Sequence, residues 1–71
     1  MSECKSAKAK DVMKALLKIG WSVKRRPGGS HRVLARAGWP NFVFAFHDRE
    51  EIGPKMLARI AKRTGLNPED I

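Results

Sequence analysis

An α+β fold, in which a three-stranded antiparallel sheet carries two helices on one face, follows from three observations on this 71-residue chain. A stretch near each end repeats apolar residues at the helical period, and three shorter stretches between them have strand character. Glycine and proline punctuate the junctions. Two helices and one sheet of this size bury one sheet face and leave the other open.

The first helix is read over residues 7–19. Val12, Met13, Leu16, Leu17 and Ile19 recur at the spacing of one helix face, whereas Lys10, Lys14 and Lys18 follow the opposite side as a solvated stripe. Gly20 can take a left-handed conformation and ends the helix. Residues 21–26 then alternate bulky with polar, Pro27-Gly28-Gly29 interrupts, and residues 30–36 make a second run, so a hairpin is expected. With Gly28-Gly29 as its two-residue loop, Val23 falls opposite Leu34 and Arg26 opposite His31.

Residues 37–41 read as a turn centred on Trp39, and residues 42–47 as a third strand whose Phe42, Phe44 and Phe46 share the helix-facing side. That register sets Leu34 against Phe44 and His31 against His47. After the acidic turn of residues 48–51, Gly53-Pro54 opens a second helix that Gly65 closes. Leu57, Ile60 and Ala61 turn inward, and Lys55, Arg59, Lys62 and Arg63 form the other stripe. Residues 67–71 cap the domain or add a further turn. The chain is expected to be one domain over residues 1–71, with its core at about 8–66 and short tails.

Charge narrows the function. The chain holds 15 Lys plus Arg against 7 Asp plus Glu, a formal net charge of +8. Residues 1–36 carry ten of the cations and only Glu3 and Asp11, while residues 37–71 carry five of each sign. A one-sided excess of this kind favours a polyanionic partner, because each contacted phosphate releases condensed counterions. A large enzyme scaffold is excluded by size, and membrane-surface binding is the weaker reading because neither helix has a large aromatic face. The longest strongly apolar run, Phe42-Val43-Phe44-Ala45-Phe46, is far shorter than the roughly 18 residues of a membrane span. The N-terminus lacks the apolar segment of a secretory leader, so a cytoplasmic protein is expected. Cys4 alone makes no internal disulfide, and one Cys with two His is too few for four-ligand zinc, so no metal or cofactor is expected.

On these registers the open sheet face carries Ser22, Lys24, Arg26, His31 and His47 around a patch of Val33, Ala35, Val43 and Ala45. Those side chains suit RNA cleavage. RNA brings its own nucleophile, since removal of the 2′-hydroxyl proton lets that oxygen attack the adjacent phosphorus without a metal. In this reading His31 is the base, Lys24 and Arg26 bind phosphate and favour the neutral imidazole, and His47 is the candidate acid. Backbone N–H groups of Pro27-Gly28-Gly29-Ser30 that lie near His31 offer a phosphate cradle, although the same residues suit a plain hairpin turn. The stripe of Lys55, Arg59, Lys62 and Arg63 reads equally as a solvated face or as phosphate contacts. Trp21 belongs to the core, and Trp39 in its turn is the candidate for base stacking. A noncatalytic RNA-binding module using the same basic surface, or a protein-interaction module, are the competing readings. Removing the His31 imidazole separates the first two, and salt-dependent RNA binding separates both from the third.

The run Ala15-Leu16-Leu17-Lys18-Ile19-Gly20-Trp21, then Gly29-Ser30-His31-Arg32, then Phe46-His47 and the closing helix through Gly65-Leu66 resemble the HicA toxins of bacterial and archaeal toxin–antitoxin pairs. The resemblance covers about residues 10–66. It implies a double-stranded-RNA-binding-domain-like α-β-β-β-α fold and a metal-independent mRNA interferase whose essential residue is His31. It also implies a HicB-like antitoxin that covers the active face. Ser30 and Arg32 flank that histidine and join the candidates, Ser30 for catalytic support and Arg32 for RNA binding. The chain departs from the family pattern at Ala45, where members often have proline, and at Lys55-Met56, where they have Gly-Thr.

Overall fold

The computed structural model describes residues 6–71, so Cys4 and the start of the basic N-terminal run lie outside the described residues. The elements in order are β1 (Ala7–Lys8), α1 (Ala9–Lys18), β2 (Ser22–Gly28), β3 (His31–Arg36), β4 (Trp39–Ala45), β5 (Glu51–Ile52), α2 (Pro54–Thr64) and a short 3₁₀ turn, Pro68–Asp70. Strands β2, β3 and β4 form an antiparallel sheet in that order. The expected α-β-β-β-α arrangement is therefore present. A small ladder between β1 and β5 adds to it, and this ladder explains why α1 begins at Ala9 rather than Ala7. The Ala9 and Lys10 N–H groups, which have no partner inside the helix, donate to the carbonyls of Glu50 at 2.8 Å and Asp48 at 3.1 Å.

Helix α1 buries Ala9, Val12, Met13, Ala15 and Leu16, while Lys10, Lys14 and Lys18 are exposed as expected. Leu17 is 46% exposed, one step off the buried face. Gly20, with φ of 106°, turns the chain out of the helix. From α2 come Leu57, Ile60 and the buried Thr64, and the sheet contributes Leu34 and Phe44 with Val23, Phe42 and Phe46 packed around them. All three phenylalanines lie on the helix-facing side, as period-two alternation requires.

Both hairpin registers differ from those read from sequence. Val23 does oppose Leu34, but beyond it the ladder shifts twice, so that Arg25 opposes Val33 and Gly28, not Arg26, opposes His31. The second shift spans Pro27. A proline has no N–H for the ladder and is accommodated at sheet edges by a bulge. The loop then becomes Gly29-Ser30, with Gly29 at φ of 55°. At the next hairpin the turn is the two residues Ala37-Gly38, with Gly38 at φ of 84°, and Arg36 opposes Trp39. Leu34 consequently faces Phe42 and His31 faces Ala45, two residues away from the expected partners. A shift of two preserves every face assignment. The tighter turn draws Trp39 into β4 and against the core.

One cluster ties the sheet to the end of α2. The Trp21 indole, 2% exposed, donates from Nε1 to the Thr64 carbonyl at 3.0 Å. Arg36 Nη1 approaches the same oxygen at 3.5 Å, and its guanidinium lies 5.2 Å from the centre of the Trp39 ring. Trp39 meets Trp21 edge to face at 6.1 Å. Gly65 sits under that ring with φ of 76°, and a Cβ there would lie 2.8 Å from Trp39 Cη2. Two predictions follow from this cluster, both read by urea unfolding. Trp21→Phe leaves a buried carbonyl short of its donor and lowers stability by about 1–3 kcal/mol. Gly65→Ala combines a left-handed backbone with a steric overlap and costs at least about 1–2 kcal/mol, whereas Leu17→Ala on the exposed face changes stability by no more than about 0.5 kcal/mol.

Candidate nucleic-acid interface

His31 opens β3 and is exposed at the tip of the β2–β3 hairpin, directly after the Gly29-Ser30 loop. Period-two alternation puts it with Val33 and Ala35 on the face away from the helices, since Leu34 faces the core. Ser30 beside it is half-buried. Lys24 and Arg26 on β2 are exposed and belong to the same hairpin. The double bulge changes what stands across from β3: Arg25 occupies the position opposite Val33 on the open face, next to His31 along that face. Reading from sequence passed over Arg25 because an uninterrupted strand would turn it toward the helices. No residue type marks the shift between Val23 and Arg25 that turns it, since Pro27 lies beyond that point.

His47 does not oppose His31. It follows the end of β4, is exposed, and its backbone N–H donates to the Glu50 carboxylate at 3.2 Å while its carbonyl accepts from the Glu50 N–H at 2.9 Å. Ala45 takes the place opposite His31, so the two histidines are not a direct pair and His47 lies beyond the end of the ladder. Arg32 alternates with His31 and so faces the other way. Its side chain is 18% exposed and donates from Nη2 to Asp48 Oδ1 at 3.2 Å, the one ion pair among the described residues.

The cations of α2 are a second group. Lys55, Arg59, Lys62 and Arg63 are all exposed. Arg59, Lys62 and Arg63 flank a groove of about 700 Å³ between α2 and β4, on the far side of the sheet from Lys24, Arg25 and Arg26. Two strand spacings, roughly 10 Å, separate the β2 and β4 edges. The structure thus divides the basic residues between a hairpin group around His31 and a helix group beside β4. Trp39 leaves the candidate surface: it is half-buried against Trp21, Arg36 and Gly65 instead of standing out for base stacking. Among the described residues no three of His, Cys, Asp and Glu gather closely enough to hold a metal ion, and no helix is long and apolar enough to cross a membrane.

The Arg32–Asp48 contact connects β3 to the turn that carries His47. Asp48 is 61% exposed, so a double-mutant cycle with Arg32→Met and Asp48→Asn should give a coupling of only about 0.2–1 kcal/mol in unfolding experiments.

Residues 9–66 match the family model described as the HicA toxin of bacterial toxin–antitoxin systems. No curated protein and no solved structure matches the chain.

Proposed function

The chain belongs to the HicA toxin family, and from that membership, which makes it the toxin of a toxin–antitoxin pair, we propose that it is an endoribonuclease acting on mRNA with His31 as general base. The observation that carries the reading is the position of His31: exposed at a hairpin tip, on the open sheet face, in the hairpin whose other strand holds the exposed Lys24, Arg25 and Arg26. An imidazole there is reachable by a single-stranded RNA chain, and the surrounding cations attract its phosphates.

The step proceeds as follows. His31 takes the proton of a 2′-hydroxyl, and that oxygen bonds to the adjacent phosphorus. The phosphorus–5′-oxygen bond breaks, and the departing oxygen takes a proton from an acid, leaving a 2′,3′-cyclic phosphate on one product and a 5′-hydroxyl on the other. No metal is called for, because the nucleophile is already within the substrate. Base and acid act on opposite sides of one phosphorus, and His47, which follows the end of β4 rather than pairing with His31, is the candidate acid. Arg32, turned away and held by Asp48, acts here as a positioning residue for the His47 turn rather than as a phosphate ligand. Lys24, Arg25 and Arg26 bind the RNA backbone and Ser30 orients the loop before His31, while Arg59, Lys62 and Arg63 of the α2 stripe stand apart at the groove beside β4. The partner that restrains this activity is a HicB-like antitoxin, and the setting is the cytoplasm.

The test is cleavage of a mixed-sequence single-stranded RNA in excess EDTA, with analysis of the 3′ ends. Wild type should leave cyclic phosphate or its opened product, and His31→Ala should lower the rate by about 10²–10⁴-fold with little change in RNA affinity. Equal rates for both proteins would remove His31 from the mechanism, and salt-sensitive binding without cleavage would indicate a noncatalytic RNA-binding module. Arg25→Ala should reduce the dependence of log affinity on log salt by about 0.7, the contribution of one phosphate contact on a single strand, whereas Lys14→Ala on the far side of α1 should leave that slope unchanged.

A further inference from the structure

The sheet has two edges, and they are built in opposite ways. The β2 edge holds Lys24, Arg25, Arg26 and Pro27 and shifts register twice, which are the devices that keep an edge from pairing with another chain. Strand β4 has none of them past its first residues. After Pro40 it runs Asn41-Phe42-Val43-Phe44-Ala45 with no charge, and its ladder with β3 is regular over residues 42–45. Among the described residues no strand pairs with the outer edge of β4.

Along that edge lies the groove of about 700 Å³, with Phe42, Phe46 and Ile60 in its lining. Val43, 53% exposed, and Met56, 38% exposed, also line it and are two of the three large hydrophobic residues exposed in the described chain. The charged residues of the groove are Arg59, Lys62 and Arg63, and no acidic residue lines it. An unprotected edge, an apolar floor and a uniformly basic rim define the occupant: an extended peptide with apolar and acidic side chains.

We propose that the outer edge of β4 and the adjoining groove receive an extended acidic segment of the cognate antitoxin, added to the sheet as a fourth strand. This rests on the toxin–antitoxin reading and goes beyond it by naming the surface and the chemistry of the segment. Main-chain hydrogen bonds to β4 hold the segment, alternate apolar side chains enter the groove, and its carboxylates meet Arg59, Lys62 and Arg63. A second copy of this chain fits poorly, because a two-fold pairing of β4 with β4 brings two basic α2 stripes together in molecules that each carry +8. RNA matches the rim but supplies neither strand hydrogen bonds nor side chains for the Phe and Met floor. The added strand lies two strand spacings, roughly 10 Å, from β3, so the antitoxin reaches the neighbourhood of His31 by way of Ala45 without entering the hairpin tip.

The experiment uses the full chain co-purified with its antitoxin. Amide hydrogen exchange over residues 41–45 should slow at least tenfold on complex formation. Met56→Asp and Val43→Asp should each weaken the complex at least tenfold while keeping the wild-type unfolding transition, and Leu17→Asp should leave affinity unchanged. Carbodiimide coupling should join Lys62 to an Asp or Glu of the antitoxin segment. A stable complex with unchanged exchange over residues 41–45, or with affinity indifferent to Met56 and Val43, overturns the proposal and leaves the toxin–antitoxin reading intact. Protection of β4 that rises with the concentration of this chain alone makes the occupant a second copy and also overturns it. Absence of any complex overturns the toxin–antitoxin pairing itself.

Discussion

The indole N–H of Trp21 donates to the Thr64 carbonyl across 43 residues of sequence, and the seating of the helices on the sheet depends on that contact. Trp21 stands between the end of α1 at Lys18 and the start of β2 at Ser22, so its ring fixes where the first helix hands over to β2. Thr64 is the last residue of α2, and its hydroxyl donates back to the Ile60 carbonyl at 2.6 Å while accepting from the Leu66 N–H at 3.2 Å. One buried polar cluster therefore closes the end of α2, the start of β2 and, through Arg36 and Trp39, the turn between β3 and β4. Loss of the Trp21 indole or of the Thr64 hydroxyl takes a partner from a buried polar group, which is why the cluster matters more than a single net hydrogen bond would. Gly65 is the residue that makes it fit, since only a residue without Cβ leaves room for Trp39.

Much of this fold is legible in the sequence. Helix faces, helix ends and the sheet face of each phenylalanine come from periodicity and from glycine, and these hold because each buried face needs one consistent set of side chains. Register was less legible. Alternation fixes which face a residue takes but not which residue it meets, so a slip of two at β3–β4 left Leu34, Phe42 and Phe44 inside while separating His31 from His47. Trp39 shows why the longer turn failed: a large ring beside Trp21 and Gly65 buries more apolar surface within the strand than at the centre of a loop. The β1–β5 ladder escaped notice because two-residue strands have no periodicity to read.

The charge pattern takes on a sharper meaning in three dimensions. The excess in residues 1–36 suggested one basic face, yet the fold distributes the cations over the solvated side of α1, the β2 hairpin and, from the second half of the chain, α2. These surfaces have different company. Around His31 the cations stand with glycine, serine and a small apolar face, a setting for a polyanion's backbone. Beside β4 they rim an apolar groove with exposed Val43 and Met56, a setting in which charge selects among partners and burial holds them. The proposed function uses the first for the substrate and the second for the protein that restrains it.

Strand β2 links both. Its ladder with β3 shifts between Val23 and Arg25 and again between Arg25 and Gly28, the second shift spanning Pro27, which has no N–H to give. These irregularities, with Lys24, Arg25 and Arg26, make the β2 edge unsuited to a further strand and leave β4 as the edge that can accept one. The first shift sets Arg25 opposite Val33 on the open face and the second brings Gly28 against His31, so the surroundings of the histidine and the choice of docking edge share one irregular strand. A regular strand in its place would put Arg26 across from His31 and turn Arg25 toward the helices. The irregular hairpin thus sets the surface proposed for nucleic acid apart from the surface proposed for protein.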